Sequence, residues 1–442
     1  MNAIAQHLVT KIGSEAVTTW ENLPADAMWR RNWQSPIVPD AIAIPSTQEQ
    51  LAEIMALASE NRWAVLPCGN GSKLHWGGIV SGANLLISTH RLNRLVEHAA
   101  GDLTATVEAG MTYSQLQTIL AEKGQFLALD PTHPQTATIG GIVATGDAGS
   151  LRQRYGSVRD QVLGISFVRA DGQIAKAGGR VVKNVAGYDM MKLFTSSYGT
   201  LGILTQITFR LYPLPAASQT VMLTGGPDAI ATATANLLSS SLTPVAADIL
   251  SPTLVEKLQS AKGMGLLVRF QSIPESVAEQ RRAVIEIGNQ LSLQHTSYSD
   301  DAEANLWQQL TELMRDDAKS GEITCKIGVR SAEAVTTLVK FHSLASTAEE
   351  FSLYLGTIHA GSGLGWLRFA GETSSVLALI DSIRRECQSE GGFLTVLSAP
   401  IEVKLQTDVW GYTGNALDLM QTIKKQFDPA YLLSPKRFIN GI

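Results

Sequence analysis

Thiols are scarce in this chain. Three cysteines, Cys68, Cys325 and Cys387, stand far apart in 442 residues, with no C-x-x-C pair. This excludes a disulfide framework and a self-contained iron–sulfur cluster, which needs about four thiolates. Any such cluster would sit on another protein, and reduced thiols in a cytoplasmic setting are the expectation. Long apolar runs are missing: none approaches the ~18 residues that a membrane-crossing helix needs. The N-terminal MNAIAQHLVTKIGSE has no apolar stretch leading to a small-residue cleavage site, so secretion is not expected. A basic excess is missing as well. Lys and Arg number 35 against 40 Asp and Glu, a net charge of -5, which leaves no electrostatic footprint for nucleic acid. Low-complexity tracts and clear internal repeats are absent.

What is present is ordinary globular material. Hydrophobic residues make up 45% and charged residues 17%, enough for a sizeable core. At roughly 100–200 residues per domain, two or three domains are expected. Glycine is dense from Gly69 to Gly202 and thinner beyond. DAIAIPSTQEQLAEIMALASENRWAVLP reads strand, helix, strand; Ser46 and Glu49 have capping-box spacing, and Leu51, Ile54, Met55 and Ala58 form one apolar stripe. LTATVEAG alternates as a half-buried strand does, and the helix after it has Thr112 and Gln115 as a capping box and Gly124 as a stop. LGILTQITFRLYPLP reads as a long strand ended by prolines. Beyond it strands such as AADIL, GLLVRF, CKIGVR and FLTVLSA alternate with amphipathic helices, as an antiparallel sheet with helices on one face would. The expected division is residues 1–215, an α+β domain over 216–400, and a helix with a docking tail over 401–442.

Three glycine-rich stretches carry the chemistry. PCGNGSKLHWGG, from Pro67 to Gly78, fails as a Walker A loop, because Leu74 stands where Ser or Thr must follow the lysine. It fails as a Rossmann fingerprint, because the third glycine is missing and no helix follows. It suits a strand–loop nest, in which Gly69 and Gly71 take positive φ and successive N–H groups converge on an anion, with Ser72 adding a hydroxyl. Alone, it equally suits a tight surface turn. TIGGIVAT, read as a paired-glycine turn, and SSYGTLGILTQI repeat the theme. Three Gly/Ser/Thr turns at strand ends fit an extended dinucleotide better than a lone phosphate.

Together these stretches resemble the FAD-binding domain of the vanillyl-alcohol oxidase and p-cresol methylhydroxylase (PCMH) family. AIAIPSTQEQLAEIMALA looks like its entry strand and helix, PCGNGSKLHWG its pyrophosphate loop, and DP…TIGGIVAT and YGTLGI its further flavin contacts. The closing FDP…LLSPKRF is similar to the family's FDP…NPGRF. The fold implied is α+β: a two-part FAD-binding domain, a ferredoxin-like antiparallel-sheet cap domain, and a C-terminal segment docking on the body. Carried over by position, Pro67, Cys68, Gly69, Asn70, Gly71, Ser72 and Lys73 would surround the pyrophosphate. Pro131, Thr138, Ile139, Gly140, Gly141 and Thr145 would line the flavin, and Gly202 and Ile203 the adenine end. A tethering histidine, where the family has one, falls at Ser72, so non-covalent FAD is expected. His75 and Trp76 then read as packing at the loop's exit.

Within the family the resemblance is to the FAD-binding E subunits of glycolate oxidase (glycolate dehydrogenase). It rests on ATGDAGSLRQRYGSVRDQVLG with Gly146 and Gly149, GGRVVKNVAGYDMMKLF, and DVWG at Asp408–Gly411. Where catalytic relatives carry H-x-G-D-G-N-x-H, this chain has HAGSGLGW: His359 remains, while Ser362, Leu364 and Trp366 replace Asp, Asn and the last His. One histidine is a poor metal site, so no metal is expected. Catalytic residues stay unassigned; His359, Lys183 and Tyr188 are weak candidates, with a structural histidine and a polar loop as the plain alternatives. Arg159 and Asp160 read as a structural ion pair. The resemblance implies an FAD-binding subunit that oxidises glycolate to glyoxylate, active only with a D-type FAD subunit and an iron–sulfur F-type subunit. A stand-alone FAD-dependent dehydrogenase of a D-lactate-type 2-hydroxy acid is the alternative, and a non-catalytic assembly subunit stabilised by FAD a third reading. A cytoplasmic location is expected, with peripheral contact at the inner membrane through the complex as the variant.

Overall fold

The computed structural model describes residues 2–179, 188–259, 262–315, 321–346 and 351–442. It divides into two compact units. The first comprises residues 1–148, 156–214 and 412–442; the second comprises 149–155 and 215–411, so it runs past the boundary expected at 400 and takes a short piece from inside the first.

Among the described residues the first unit holds two main sheets and a two-stranded pairing of Gln125–Phe126 with Tyr212–Pro213. One has strands β1 (Val17–Thr18), β2 (Ala41–Ala43), β3 (Val65–Cys68) and β4 (Leu85–Ser88) in the order β1-β2-β4-β3, with β2, β4 and β3 parallel. Helix α1 (Gln48–Asn61) makes the crossover from β2 to β3 and buries Leu51, Ile54, Met55 and Ala58, the stripe read from the sequence. Its cap falls one residue later than expected: the Thr47 hydroxyl accepts from the Gln50 amide, and the Gln50 side chain reaches back to the Ser46 amide. The other sheet is antiparallel. Its strands β5 (Leu95–Ala99), β6 (Thr104–Glu108), β7 (Val162–Val168), β8 (Ile174–Gly178) and β9 (Ile203–Arg210) run in the order β5-β6-β9-β7-β8. Helix α2 (Tyr113–Ala121) carries the expected Thr112/Gln115 capping box.

TIGGIVAT is helical rather than a turn. Helix α3 (Ile139–Thr145) is capped by Thr138, whose hydroxyl accepts from the Gly141 amide, and it ends at Gly146 with φ +60°. Its glycine serves close approach. A Cβ on Gly140 would lie 2.8 Å from the Ala109 Cβ and 3.0 Å from its carbonyl oxygen, so only glycine lets the helix press against the end of β6. Ile142 and Val143 on the same helix join Val107, Ile207 and Phe209 in one core.

The second unit is built on eight antiparallel strands: β10 (Ala217–Gly225), β11 (Ala246–Leu250), β12 (Met264–Ser272), β13 (Gln294–Ser299), β14 (Ile323–Gly328), β15 (Phe351–His359), β16 (Leu364–Gly371) and β17 (Phe393–Ser398). The order β13-β10-β12-β11-β15-β16-β14-β17 is two ferredoxin-like βαββαβ halves joined edge to edge through β11 and β15. Helices α4 (Pro227–Ser239), α6 (Pro274–Gln290), α8 (Ala334–Ser346) and α9 (Thr373–Ser389) share one core with alternate strand residues, such as Leu266, Val268 and Phe270. The opposite face is covered too. There α5 (Pro252–Gln259) sets Val255 against Gly265, and α7 (Asp300–Met314) sends Glu303 to the Thr220 hydroxyl. Helices on one face was the sequence expectation; the structure adds this second layer.

The chain ends by returning to the first unit. Helix α10 (Leu417–Phe427) leads to a tail in which Leu433 pairs in parallel with Val65 of β3. A fully buried ion pair holds the turn between them. The Lys424 ammonium donates to Asp428 Oδ2 at 2.7 Å and to the carbonyls of Thr200 and Leu433 at 2.9 Å. Asp428 in turn accepts from the Leu432 and Leu433 amides. Burial lowers the Lys424 pKa while Asp428 opposes that shift. K424M would strand a buried carboxylate and two carbonyls, at a cost of about 3–5 kcal/mol. Denaturant unfolding of K424M against the parent chain should read that loss.

Candidate functional site

A cleft opens in the first unit. Its floor is the end of β3 and the loop that follows. Pro67, Cys68, Gly69, Asn70, Gly71, Ser72 and Lys73 all line it. Thr138, Gly140, Gly141 and Thr145 face it from α3, and Gly202 and Ile203 from the start of β9. These residues come from three distant stretches, and the fold gathers them around one space.

The loop is shaped by what its carbonyls and side chains do. The Ser88 hydroxyl donates to the Gly69 carbonyl at 2.7 Å, and Asn32 Nδ2 to the Gly71 carbonyl at 3.0 Å. Asn70 Nδ2 donates to the Thr136 carbonyl at 3.0 Å, tying the loop to the chain ahead of α3. Gly71 has φ +85°, and a Cβ on Gly69 would lie 2.0 Å from the Thr138 hydroxyl oxygen. Gly71, Ser72 and Lys73 are buried, yet their backbone N–H groups donate to no acceptor among the described residues. More than about 90% of buried backbone N–H groups in native proteins are paired, so three together constitute a site for an acceptor brought by a ligand. The nest read from the sequence is corrected at one position: Gly71 takes positive φ but Gly69 does not, its glycine serving the close approach to Thr138, and the convergent donors of Gly71, Ser72 and Lys73 fit the diphosphate of FAD.

Charge around the nest is arranged in depth. Lys73 Nζ and Asp147 Oδ2 are 2.8 Å apart, with side chains 5% and 1% exposed. Asp147 also accepts from the amide and hydroxyl of Thr132. Burial works to raise the Asp147 carboxyl, but the Lys73 ammonium and the Thr132 hydrogen bond outweigh it and hold the group below its ordinary range. Burial pushes the Cys68 thiol up to about 12, so it stays neutral and unreactive at the cleft wall. The Tyr198 hydroxyl, also at the wall, is raised by burial beyond its ordinary range.

Two of the residues carried over by resemblance lie elsewhere. Ile139 is fully buried in the core beside β6, and Pro131 is buried outside the lining. His75 is 2% exposed and does not line the cleft. Thr89, Ser197, Tyr198, Gly199, Leu204 and Arg437 do line it and were not singled out. YGTLGI marked the neighbourhood of Tyr198 and Gly199; Arg437 had no local signal beyond the closing SPKRF.

The weak catalytic candidates separate. Lys183 lies outside the described residues, and Tyr188 is 88% exposed. Asp160 serves its own chain, accepting from the Ser157 amide and hydroxyl as a helix cap. His359 is different. In the second unit its Nδ1 lies 2.6 Å from Asp248 Oδ1, directly across from it in the β11–β15 register. The Ser150 hydroxyl donates to Asp248 Oδ2 at 2.5 Å. With Asp248 accepting from Nδ1–H, the buried Nε2 keeps its lone pair and has no partner among the described residues. Those residues contain no cluster of three or more His, Cys, Asp or Glu able to hold a metal ion.

Residues 39–178 match the family model described as an FAD binding domain. The glycolate oxidase subunit GlcD of Bacillus subtilis is 28% identical over 431 residues, covering 90% of this chain and 88% of that protein. The glycolate oxidase subunit GlcE of Escherichia coli is 37% identical over 171 residues, covering 38% of this chain and 48% of that protein. In fold the chain is similar to p-cresol methylhydroxylase in a substrate-bound crystal structure, with a TM-score of 0.76 at 16% identity over 98% of this chain and 96% of that one. The two-part FAD-binding fold with its antiparallel-sheet domain is therefore the PCMH type, and the cofactor is FAD. With the cradle described above, the matches support an FAD-dependent oxidoreductase of the glycolate oxidase and D-lactate dehydrogenase type.

G69V/G71V should abolish flavin uptake, since Val at 69 meets Thr138 and Val at 71 cannot hold positive φ; the visible flavin absorbance of the purified protein reads this, and an unchanged FAD content would dismiss the loop as the cradle. The ion pair predicts a pH dependence. Because the native Asp147 pKa is depressed, its contribution is complete above the unfolded value of about 3.9 and is lost as pH falls below it. D147N should therefore unfold earlier than the parent at neutral pH, with the gap between them closing in acid, as thermal melts across pH would record.

Proposed function

We propose that this chain is the E-type, FAD-carrying subunit of a glycolate oxidase complex that oxidises glycolate to glyoxylate. Its partners would be a D-type FAD subunit and an iron–sulfur F-type subunit in the cytoplasm, with contact at the inner membrane through the complex. The observation that carries this reading is a cleft whose donors fit FAD on a chain that reads HAGSGLGW where the catalytic relatives carry H-x-G-D-G-N-x-H. Similarity along most of the chain to one glycolate oxidase subunit, and higher identity over a shorter stretch to another, supports a role inside such a complex.

When bound, FAD supplies a two-electron acceptor for the hydrogen on the hydroxyl-bearing carbon of a 2-hydroxy acid. The chain's own contribution is to hold it. The amides of Gly71, Ser72 and Lys73 present donors to the diphosphate, and the close contact of Gly69 with Thr138 keeps that loop in place. Gly71, Ser72 and Lys73 would complete their hydrogen bonds by donating to the phosphate oxygens.

A second reading has a specific observation behind it. The Ser150–Asp248–His359 relay leaves Nε2 able to accept a proton, as a general base for a hydroxyl must. On that reading the chain is a stand-alone dehydrogenase of a small 2-hydroxy acid. Anaerobic mixing with glycolate separates the two. The isolated chain should bleach slowly or not at all, full reduction should require the partner subunits, and H359Q should leave the partner-dependent rate within a few-fold. Rapid bleaching of the isolated chain, lost in H359Q, would establish the second reading instead.

A further inference from the structure

The nest is rich in donors but poor in net charge. Its own cation, Lys73, already sits against Asp147 at 2.8 Å, so the pair as a whole brings no charge to an incoming anion. Among the described residues no Asp or Glu lines the cleft, and one cation besides Lys73 does: Arg437, which is 5% exposed and stands 364 residues away from Lys73 in sequence.

The structure takes trouble to put it there. Arg437 Nη2 donates to the Lys73 carbonyl at 2.8 Å, and the Arg437 carbonyl accepts from the Gly78 amide at 2.9 Å, bracketing the loop from both ends. Just before it, the Ser434 amide donates to the Val65 carbonyl of β3, and the Ser434 hydroxyl to the Tyr198 carbonyl at 3.0 Å. Ser434 and Lys436 take φ of +50° and +62°, the left-handed region that side chains avoid. Two strained residues within one short turn show that the surroundings over-determine the aim of the residue between and after them. Burial pushes the Arg437 pKa down to about 10, which still leaves it charged at neutral pH.

We infer that Arg437 is the cation that the FAD diphosphate meets in this cleft, delivered by the C-terminal tail. A guanidinium presents a planar fork of donors that matches phosphate oxygens two at a time and is more weakly hydrated than an ammonium, so burying it against an anion suits Arg better than Lys. Docking of the tail then becomes part of the cofactor site. The inference rests on FAD occupying the cradle, and the parent chain's own affinity for FAD tests that premise separately.

The test is titration of apo-protein with FAD, followed by flavin fluorescence quenching, at low and high salt. Circular dichroism of each apo variant confirms that it is folded. R437Q should bind FAD at least about tenfold more weakly and lose part of the parent's salt dependence, because a charge has left the contact. R437K, which keeps the charge and loses the fork, should fall between the two and keep the parent's salt dependence. If R437Q does not fold, R437K alone decides: folded R437K with an intermediate affinity and parental salt dependence supports the inference. Unchanged affinity in R437Q, or weakening with the salt dependence intact, would assign Arg437 to holding the Lys73 carbonyl and overturn it, as would complete loss of binding in folded R437K.

Discussion

Three buried amides with no acceptor set the terms for the first unit. Each such group costs about 1–3 kcal/mol when water is excluded and nothing replaces it. A protein keeps that arrangement only if neighbouring contacts hold the backbone against relaxation. Here the holding is done by carbonyls turned outward to Ser88 and Asn32, by Asn70 anchored to Thr136, and by glycine at 69 where any Cβ would strike Thr138. The donors that the protein itself leaves without an acceptor become favourable contacts with a bound anion. Cofactor binding is therefore also folding energy for this unit, by simple linkage.

The constraint spreads outward along the chain. The loop follows β3, β3 is paired at its free edge by Leu433, and Leu433 is fixed by Asp428 and Lys424. Lys424 also binds the carbonyl of Thr200, in the stretch that brings Tyr198 and Gly199 to the cleft. One buried ion pair at the end of the chain thus ties together two of the three walls. The third wall, α3, is tied by Asp147, which follows it directly and pairs with Lys73 in the loop. Lys424–Asp428 and Lys73–Asp147 are both costly to bury, and both sit where several chain segments must agree on a geometry.

Much of this was legible in the sequence, and the failures have physical causes. The strand–helix–strand around α1 and the capping box of α2 are local patterns, and they read correctly apart from a one-residue shift of the first cap to Thr47. TIGGIVAT read as a turn because paired glycines normally favour one. What Gly140 provides is contact with Ala109, a tertiary fact that no local pattern encodes. Helix α7 went unread because its buried positions, Glu303, Leu306, Leu310 and Met314, make a thin stripe amid acidic residues. The doubled ferredoxin-like topology left no sequence repeat, since strand order is preserved by pairing and core volume rather than by identity of residues. Arg437 and Thr89 entered the cleft from segments whose local chemistry looks unremarkable.

The second unit holds a buried histidine whose partner comes from the neighbouring strand. A metal-binding histidine is satisfied by its metal and by an outer-shell partner. Where the sequence reads HAGSGLGW, His359 has instead a carboxylate across the sheet, and that carboxylate is itself held by Ser150. Asp248 and His359 are 1% and 4% exposed in their side chains, so neither could remain ordered without the other. The pair meets the structural requirement of a buried histidine on one nitrogen and leaves the other bare. Asp248 and Ser150 together fix the orientation of His359 within the second unit.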